Sequence, residues 1–321
     1  MRDLLTALAG GVILLLVAAL AVPPFVAWEG YRGTLDRTIA RSLGVEAHTE
    51  GRIGLRLLPS PRLKLDRLRL GPGATEKPGG ETPGLDLHWV RAEVALAPLL
   101  KGEVRFTETR IGRAEVKLPV SEGEGVLVPA EGWPAATRDL AIEDFAIRQF
   151  VLTTQVPATG RTEQFYAESL QVSAPALLGP WRVEGTSRGV PFRIATGEAG
   201  ADGVAVKISG GGDTQPRFEA DARITLAPPK AEPAGRAAAL KAAGLRVLVP
   251  AAEGTARIVV GPPVQAAGAY LPFSLGGKFT GRGLAVAFSD VALEIDPGGQ
   301  ALRLGGTGRL DLRQWRGALA L

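Results

Sequence analysis

Apolar and polar residues alternate through most of the chain from Arg52 to Leu312, and this period of two is the feature that most constrains the fold. Successive side chains of a β-strand point to opposite faces, so the alternation predicts half-buried strands. Gly- and Pro-rich segments separate the runs at hairpin spacing, which favours an antiparallel, mostly β body. The clearest predicted strands are Val90–Leu96, Val190–Ile194, Val204–Ile208, Phe218–Leu226, Leu271–Phe279, Leu284–Phe288, Val291–Ile295 and Leu302–Leu312.

A slip of one residue interrupts the alternation at several places. Leu63 and Leu65 alternate properly, two polar residues follow, and then Leu68 and Leu70 resume the pattern; the same spacing recurs between Leu140 and Leu152. Such a slip moves the apolar set to the other face of the strand unless a β-bulge absorbs it. We therefore predict bulged and strongly twisted strands.

An uncharged apolar run precedes the β body. Leu4–Val26 supplies the roughly 20 residues that a transmembrane helix needs. Trp28 and Tyr31 follow it, where interfacial aromatic residues anchor such a helix. We predict that residues 1–28 form a single transmembrane anchor. The alternative is a cleaved signal peptide, for which Ala19-Leu20-Ala21 offers a small-residue cleavage site.

The charges around this run leave its orientation open. The near flank carries Arg2 and Asp3, whereas the far flank carries three arginines against two acids. Counted alone, the positive-inside rule places the body in the cytoplasm. That rule weakens for long translocated domains, so the charges do not decide on which side of the membrane the body lies.

Composition excludes several function classes. The chain has no cysteine, which excludes disulfides, thiolate catalysis and Cys-ligated metals. Its net charge of +4 equals the excess between Glu29 and Leu70, where nine Lys or Arg face five Asp or Glu. A basic stretch beside a membrane is attracted to anionic headgroups. A nucleic-acid reader would instead show a basic patch with a recognisable reading element, so we expect membrane phospholipid and no nucleic acid as a partner.

The chain divides at a Pro-rich loop. Tyr31–Leu43 has the spacing of a short amphipathic helix, and Gly44 is placed to end it. We predict one β-rich domain over residues 29–229 and a second β-rich segment over 230–321, which opens with the Ala-rich helix Gly235–Ala243. A strand pattern continues to the last residue, so we expect the parent protein to be longer.

Two consecutive segments carry a family resemblance. Gly44–Gly71 runs from a helix-ending glycine through a strand pair, a Pro-Ser-Pro break and a leucine-rich alternating strand. Val90–Phe106 follows as a strand, a Pro-Leu-Leu turn and another strand. In this order they resemble the opening of the AsmA family. The resemblance covers about the first third of the chain well, and the family has no catalytic motif to carry over.

The resemblance implies a bacterial inner-membrane protein, single-pass, with its β body in the periplasm and a role in outer-membrane biogenesis. The family is similar to bridge-type lipid transporters, whose curled sheet holds acyl chains in an apolar groove. We expect such a groove to bind or conduct phospholipid, with Leu63, Leu65, Val104 and Phe106 as lining residues. The alternative is a structural scaffold of an envelope assembly or secretion system, with assembly proteins as partners and no lipid transport.

One segment matches a catalytic motif but lacks the structural context that the motif needs. Gly185-Thr-Ser187-Arg-Gly189 matches the nucleophile elbow of hydrolases, but a predicted strand follows the serine where the elbow needs a helix. Both histidines, His48 and His88, precede Ser187, contrary to the hydrolase order. Two isolated histidines also make no zinc site. We therefore expect a hairpin turn at Ser187, no enzymatic activity, no metal and no cofactor.

Overall fold

The structure is a computed structural model that describes most of the chain in separate ranges. These ranges are 27–56, 60–71, 83–95, 106–119, 125–129, 142–156, 161–176, 179–200, 202–212, 216–229, 234–242, 244–261, 272–296, 301–311 and 316–320. The predicted anchor over Leu4–Val26 lies outside them. No helix within them is long and apolar enough to cross a membrane.

The described residues include two α-helices, both close to predicted positions. A 3₁₀ turn over Trp28–Tyr31 leads into α1, Arg32–Leu43. Gly44 ends α1 with a φ of 67°, a left-handed conformation that glycine adopts without the steric cost of a Cβ. The second helix, α2, spans Ala234–Ala242, one residue earlier than the predicted Gly235–Ala243.

The described residues include sixteen strands. Their bounds are β1 Ala47–Arg56, β2 Arg62–Leu70, β3 Gly84–Val94, β4 Phe106–Pro119, β5 Val126–Pro129, β6 Ile142–Val156, β7 Arg161–Ala174, β8 Arg182–Ser187, β9 Val190–Thr196, β10 Val204–Gly210, β11 Arg217–Ala227, β12 Leu245–Val260, β13 Phe273–Arg282, β14 Ala285–Ile295, β15 Leu302–Asp311 and β16 Arg316–Ala320. All but β5 follow one another in a single sheet in chain order. This sheet continues through the predicted boundary at residues 229 and 230, because β11 pairs with β12. The division into two β-rich segments stays a prediction.

The all-antiparallel expectation needs one correction, at the pair β4 and β6. These two strands are parallel, while every other described ladder is antiparallel. The reason is β5, which leaves the path of the sheet and pairs with the start of β12 instead. The chain must then return to its starting end before β6 can pair beside β4, and that return makes the ladder parallel.

The position of β5 requires the sheet to curl as well as twist. Six residues separate β4 from β5, and they reach at most about 25 Å. Seven strand spacings separate β4 from β12 in the sheet order, which in a flat sheet is roughly 34 Å sideways alone. Twist rotates the strands relative to one another but leaves this sideways distance unchanged. The sheet must therefore curl between β4 and β12, so that the short strand β5 can pair with the start of β12.

The predicted slips are aligned bulges. Leu65 pairs with Val90 and Leu68 with Leu87, so both strands skip one residue at the same level. The neighbouring ladders from β1 to β8 also leave a residue unpaired at the corresponding level. The unpaired Trp89 on β3 and Ser169 on β7 both have a φ angle of 54°. Each bulge raises the local twist, so their alignment bends adjacent strands together. In the same way, the two predicted strands Leu284–Phe288 and Val291–Ile295 are one bulged strand, β14.

Helix α1 closes the first edge of the sheet. Arg32 donates from Nη1 to the Thr49 carbonyl at 2.5 Å and from Nη2 to the Gly51 carbonyl at 2.6 Å. Asp36 accepts hydrogen bonds from the backbone N–H of Thr49 at 3.0 Å and from its Oγ1 at 2.6 Å. These contacts satisfy backbone groups that an edge strand would otherwise expose to strand addition.

Candidate functional site

The candidate site is the apolar face of the sheet, which the strand register makes continuous. Cross-strand partners share a face. One such row runs through Ile53, Leu65, Val90, Ile111 and Ile147 on β1 to β6. On later strands, a second row runs through Ile194, Ile208, Ala220, Ala256 and Gly277. The alternation that predicts the strands therefore also produces one apolar surface from the first strand to the last.

Strands β1 to β7, the covered part of the sheet, bury most of this face, although Phe165 near the start of β7 is 45% exposed. A cluster of fully buried residues lies under α1, and Leu35, Ile39 and Ala40 of the helix pack against it together with Trp28. The buried members are Ala47, Ile53, Leu65, Leu68, Leu87, Val90, Ile111 and Ala114. Here α1 supplies the second layer that a one-sided sheet needs.

Three of the four predicted groove residues are described, near the start of β2 and of β4. Leu65 belongs to the buried cluster with 3% of its surface exposed, and Leu63 packs partly buried against that cluster. Phe106 is half-buried at the start of β4, opposite Val94 on β3. Val104 lies outside the described residues. A groove at these four positions stays a prediction, since no contact in the described chain tests it.

Strands β8 to β16, the open part of the sheet, leave the same face accessible. Beyond the first residues of β12, which contact β5 and α2, the only fully buried apolar side chain described in this part is Val291. Large apolar side chains are exposed instead, with Leu226 at 56%, Leu302 at 55%, Leu304 at 37% and Leu319 at 52%. A large exposed apolar face of this kind marks an interaction or ligand-binding surface.

The open face has small residues at its centre and large ones beside them. Ala220 on β11 lies opposite Ala256 on β12, and Ala222 lies opposite Gly254. Two phenylalanines, Phe279 and Phe288, border this strip with ring centroids 6.5 Å apart. The remaining border is formed by Val206, Ile208, Phe218, Ile224, Ile258 and Leu275. Such relief gives the face a shallow floor between aliphatic and aromatic walls.

Comparison with protein families identifies the first part of the chain. The model of the AsmA family matches residues 1–127, which contain the predicted anchor, α1, β1 to β4 and the first residues of β5. The resemblance to the AsmA family is confirmed. No curated protein and no solved structure matches the chain.

The part of the chain that the family model matches carries a network of charges on its polar face. Arg67 pairs with Asp86, and its Nη1 lies 3.0 Å from Glu50 Oε2. Burial raises the pKa of Asp86, but the hydrogen bonds and charge of Arg67 outweigh it, and the charges of His88 and Arg69 act in the same direction. The pKa of Asp86 is therefore held below its ordinary value. Hydrogen bonds and charges of the two carboxylates raise the pKa of Arg67 in turn.

Ser187, His48 and His88 each contact different residues. Ser187 donates from Oγ to the Tyr166 carbonyl at 2.7 Å and pairs with Val190 across a two-residue turn. This confirms the predicted hairpin. His48 lies 3.5 Å from Asp36 on α1, and His88 lies 3.3 Å from Asp86 on β3. Within the described ranges no group of three metal-ligating residues comes together.

Sequence reasoning placed the candidate groove on the first strands and missed the open part, which lies beyond the residues that the family model matches. Both parts show the same alternation, so the pattern alone does not separate them. The available signal was the position of helices: α1 directly precedes β1, whereas the strands from β8 to β11 follow one another with short links and no helix among the described residues. Residues without a covering helix nearby in sequence were the better candidates.

Proposed function

We propose that this protein is anchored in the bacterial inner membrane and binds or conducts phospholipid along the open apolar face of its periplasmic sheet, in the service of outer-membrane biogenesis. The observation that carries the proposal is the exposure of a continuous apolar face on β8 to β16. The match of residues 1–127 to the AsmA family supports a role in lipid transport or envelope biogenesis in general.

The dimensions of the face suit an acyl chain. Nine strands extend it over roughly 38 Å at a spacing of about 4.8 Å. One leaflet of a bilayer has a hydrocarbon depth of about 15 Å, half of the roughly 30 Å core. Each methylene that leaves water on this face contributes about 0.8 kcal/mol. An acyl chain already avoids water inside a membrane. Its binding free energy on the strip of small residues therefore matches that of the membrane only if the face covers many of its methylenes.

The proposal includes no chemical step. Ser187 holds a neighbouring carbonyl, and the two histidines contact carboxylates that other residues also use. Phospholipid is therefore a cargo in this proposal and no substrate of a reaction. The polar heads would remain at the rim of the face, because burying an unpaired charge costs several kcal/mol.

Photo-crosslinking from two adjacent positions tests the proposal. Leu304 and Arg303 are neighbours on β15 whose side chains point to opposite faces of the sheet, and both are exposed. A benzophenone amino acid at position 304 of the full chain, irradiated in cells, should yield an adduct with the mass of a phospholipid, and one at position 303 should yield at least severalfold less.

Two results would contradict lipid binding. Equal phospholipid adducts at both positions would mean contact with bulk membrane, with no selectivity for the apolar face. A protein adduct at position 304 without any lipid adduct would favour the scaffold of an envelope assembly. The same comparison can be repeated at Phe288 and Ser289, which lie at the bulge of β14.

A further inference from the structure

Three basic residues lie directly opposite one another on the polar face of β2, β3 and β4. Lys64 pairs in register with Arg91, and Arg91 pairs with Arg110. All three side chains are exposed. The next cross-strand partners at the two ends are Gly54 on β1 and Ala146 on β6, and neither has a carboxylate side chain. We call Lys64, Arg91 and Arg110 the basic row.

Like charges directly opposite one another in a sheet are destabilising. Elsewhere on the polar face opposite charges meet, as in the pair of Arg62 with Glu93 at 2.8 Å in the adjacent row. Arg110 reaches Glu108 on its own strand. Among the described residues, Lys64 and Arg91 have no carboxylate partner. The fold therefore maintains a repulsive arrangement that its own ion pairs only partly relieve.

An exposed tryptophan lies beside this row. Trp89 occupies the bulge of β3 with 63% of its surface exposed, and its ring lies over Gly112 of β4, where a Cβ would come within 2.7 Å of it. Its ring centroid is 5.8 Å from that of His88, which places it on the polar face. Tryptophan beside basic residues is typical of protein surfaces at the level of lipid headgroups.

The basic row lies at the end of the sheet from which the predicted anchor departs. Helix α1 runs back along β1, because it ends at Leu43 just before β1 begins at Ala47. Its twelve residues and the four of the 3₁₀ turn together extend about 26 Å. At roughly 3.3 Å per residue this distance ends near Leu55 of β1, one residue beyond Gly54, the partner of Lys64.

We propose that the basic row and Trp89 form a docking surface for the anionic headgroups of the membrane that holds the anchor. Phosphate oxygens would relieve the repulsion within the row, and each basic residue near an anionic surface strengthens association roughly fivefold. In the docked state, the end of the sheet formed by β1 to β4 would contact the membrane, and the open apolar face would remain free. This inference rests on the membrane setting of the proposed function and not on its lipid-binding face.

The test combines stability with the distance from the membrane. Arg91→Glu converts the row into alternating charges, so the free protein should become more stable, with a higher melting temperature. The chain has no cysteine, so Gly54→Cys accepts a single donor dye. The full chain is placed in nanodiscs that contain an acceptor-labelled lipid, with phosphatidylcholine alone or with 30% phosphatidylglycerol added.

In the parent protein, energy transfer should rise when phosphatidylglycerol is added and fall again at high salt, because salt screens exposed charges. Arg91→Glu should abolish this rise. The matched control is Arg182→Glu, the same charge reversal on exposed β8, where the cross-strand neighbours are Ser173 and Ala195; it should keep the rise.

Two outcomes would overturn the inference. The first is energy transfer in the parent protein that does not change when phosphatidylglycerol is added. If the basic row then bound an acidic protein, it would be a surface for a protein partner and not for lipid headgroups. The second is a lower melting temperature of Arg91→Glu with an unchanged rise, which would make the row structural. Lipid adducts at position 304 are unaffected by either result, so the two proposals fail separately.

Discussion

The covered and open parts of the sheet have the same strand pattern and opposite burial. In the covered part, Leu65 and Val90 are fully buried under α1. In the open part, Leu304 and Leu319, which also lie on the apolar face, are exposed. The difference shows that alternation decides which face is apolar, whereas a second layer decides whether that face becomes a core.

The comparison also follows the boundary of the family match. The match to the AsmA family ends at residue 127, within β5. It therefore includes α1 and the first four strands of the covered part but none of the open part. The matched residues contain the helix that closes the first edge of the sheet, and the later strands extend the apolar face.

Substitution of one leucine in each part should give the largest contrast. Leu65→Glu buries a charge in the core under α1, so we expect a loss greater than the roughly 2–5 kcal/mol of a buried Leu→Ala substitution, with unfolding of the covered part. Leu304→Glu places the charge on an exposed surface, and we expect about 1 kcal/mol or less. Hydrogen exchange of the full chain, measured strand by strand, distinguishes the two.

Similar losses for both leucines would break the comparison. If Leu304→Glu also unfolded its strands, the open face would be a core closed by residues outside the described ranges. If Leu65→Glu were tolerated, the predicted groove at Leu63, Leu65, Val104 and Phe106 would become the better lipid site.

Removing the contact between α1 and β1 should have a smaller effect. Asp36→Ala leaves the N–H and hydroxyl of Thr49 without their acceptor, and Thr49 is 1% exposed. An unsatisfied buried donor costs about 1–3 kcal/mol, and amide exchange in β1 should accelerate accordingly. The control is Arg37→Ala, on the exposed side of α1 with contacts only to Gly33 and Thr34. Its effect should stay within roughly 0.5 kcal/mol. Equal exchange in both variants would show that apolar packing alone holds α1.

The sequence predicted much of the fold because its signals are local. The end of α1 at Gly44 and the bulge between Leu65 and Leu68 each depend on a few neighbouring residues, and both are confirmed. The pairing of β5 with β12 connects segments more than a hundred residues apart. No local pattern specifies such a contact, and the parallel ladder of β4 and β6 follows from it.

The candidate site was less predictable for the same reason. Leu63 and Leu304 have equivalent surroundings in the sequence, each in an alternating strand with a basic neighbour. What separates them is the packing of α1 over one and not over the other. The basic row was also beyond reach, because Lys64 and Arg91 become neighbours only when the register of β2 and β3 is known.

The smallest expected contrast is in how pH affects one ion pair of each part. The pKa of Asp86 in the covered part is lowered, so its contribution to stability is present above the ordinary aspartate pKa of about 3.9 and is lost as the pH falls through the lowered value. The pKa of Lys278 in the open part is raised by its hydrogen bond and charge interaction with Asp290, 2.9 Å away. Its contribution is present below the ordinary lysine pKa of about 10.4 and is lost as the pH rises through the raised value.

Denaturation of the parent protein and two variants across this range checks both signs. Asp86→Asn should be less stable than the parent at pH 7 and should lose less stability between pH 5 and 3. Asp290→Asn should leave stability at pH 7 nearly unchanged, because the pair with Lys278 is exposed to solvent, which screens the interaction. It should reduce only the loss above pH 10. If Asp86→Asn lost as much stability between pH 5 and 3 as the parent does, other carboxylates would cause the acid sensitivity of the covered part. The charge network around Arg67 would then stabilise the polar face less than its contacts indicate.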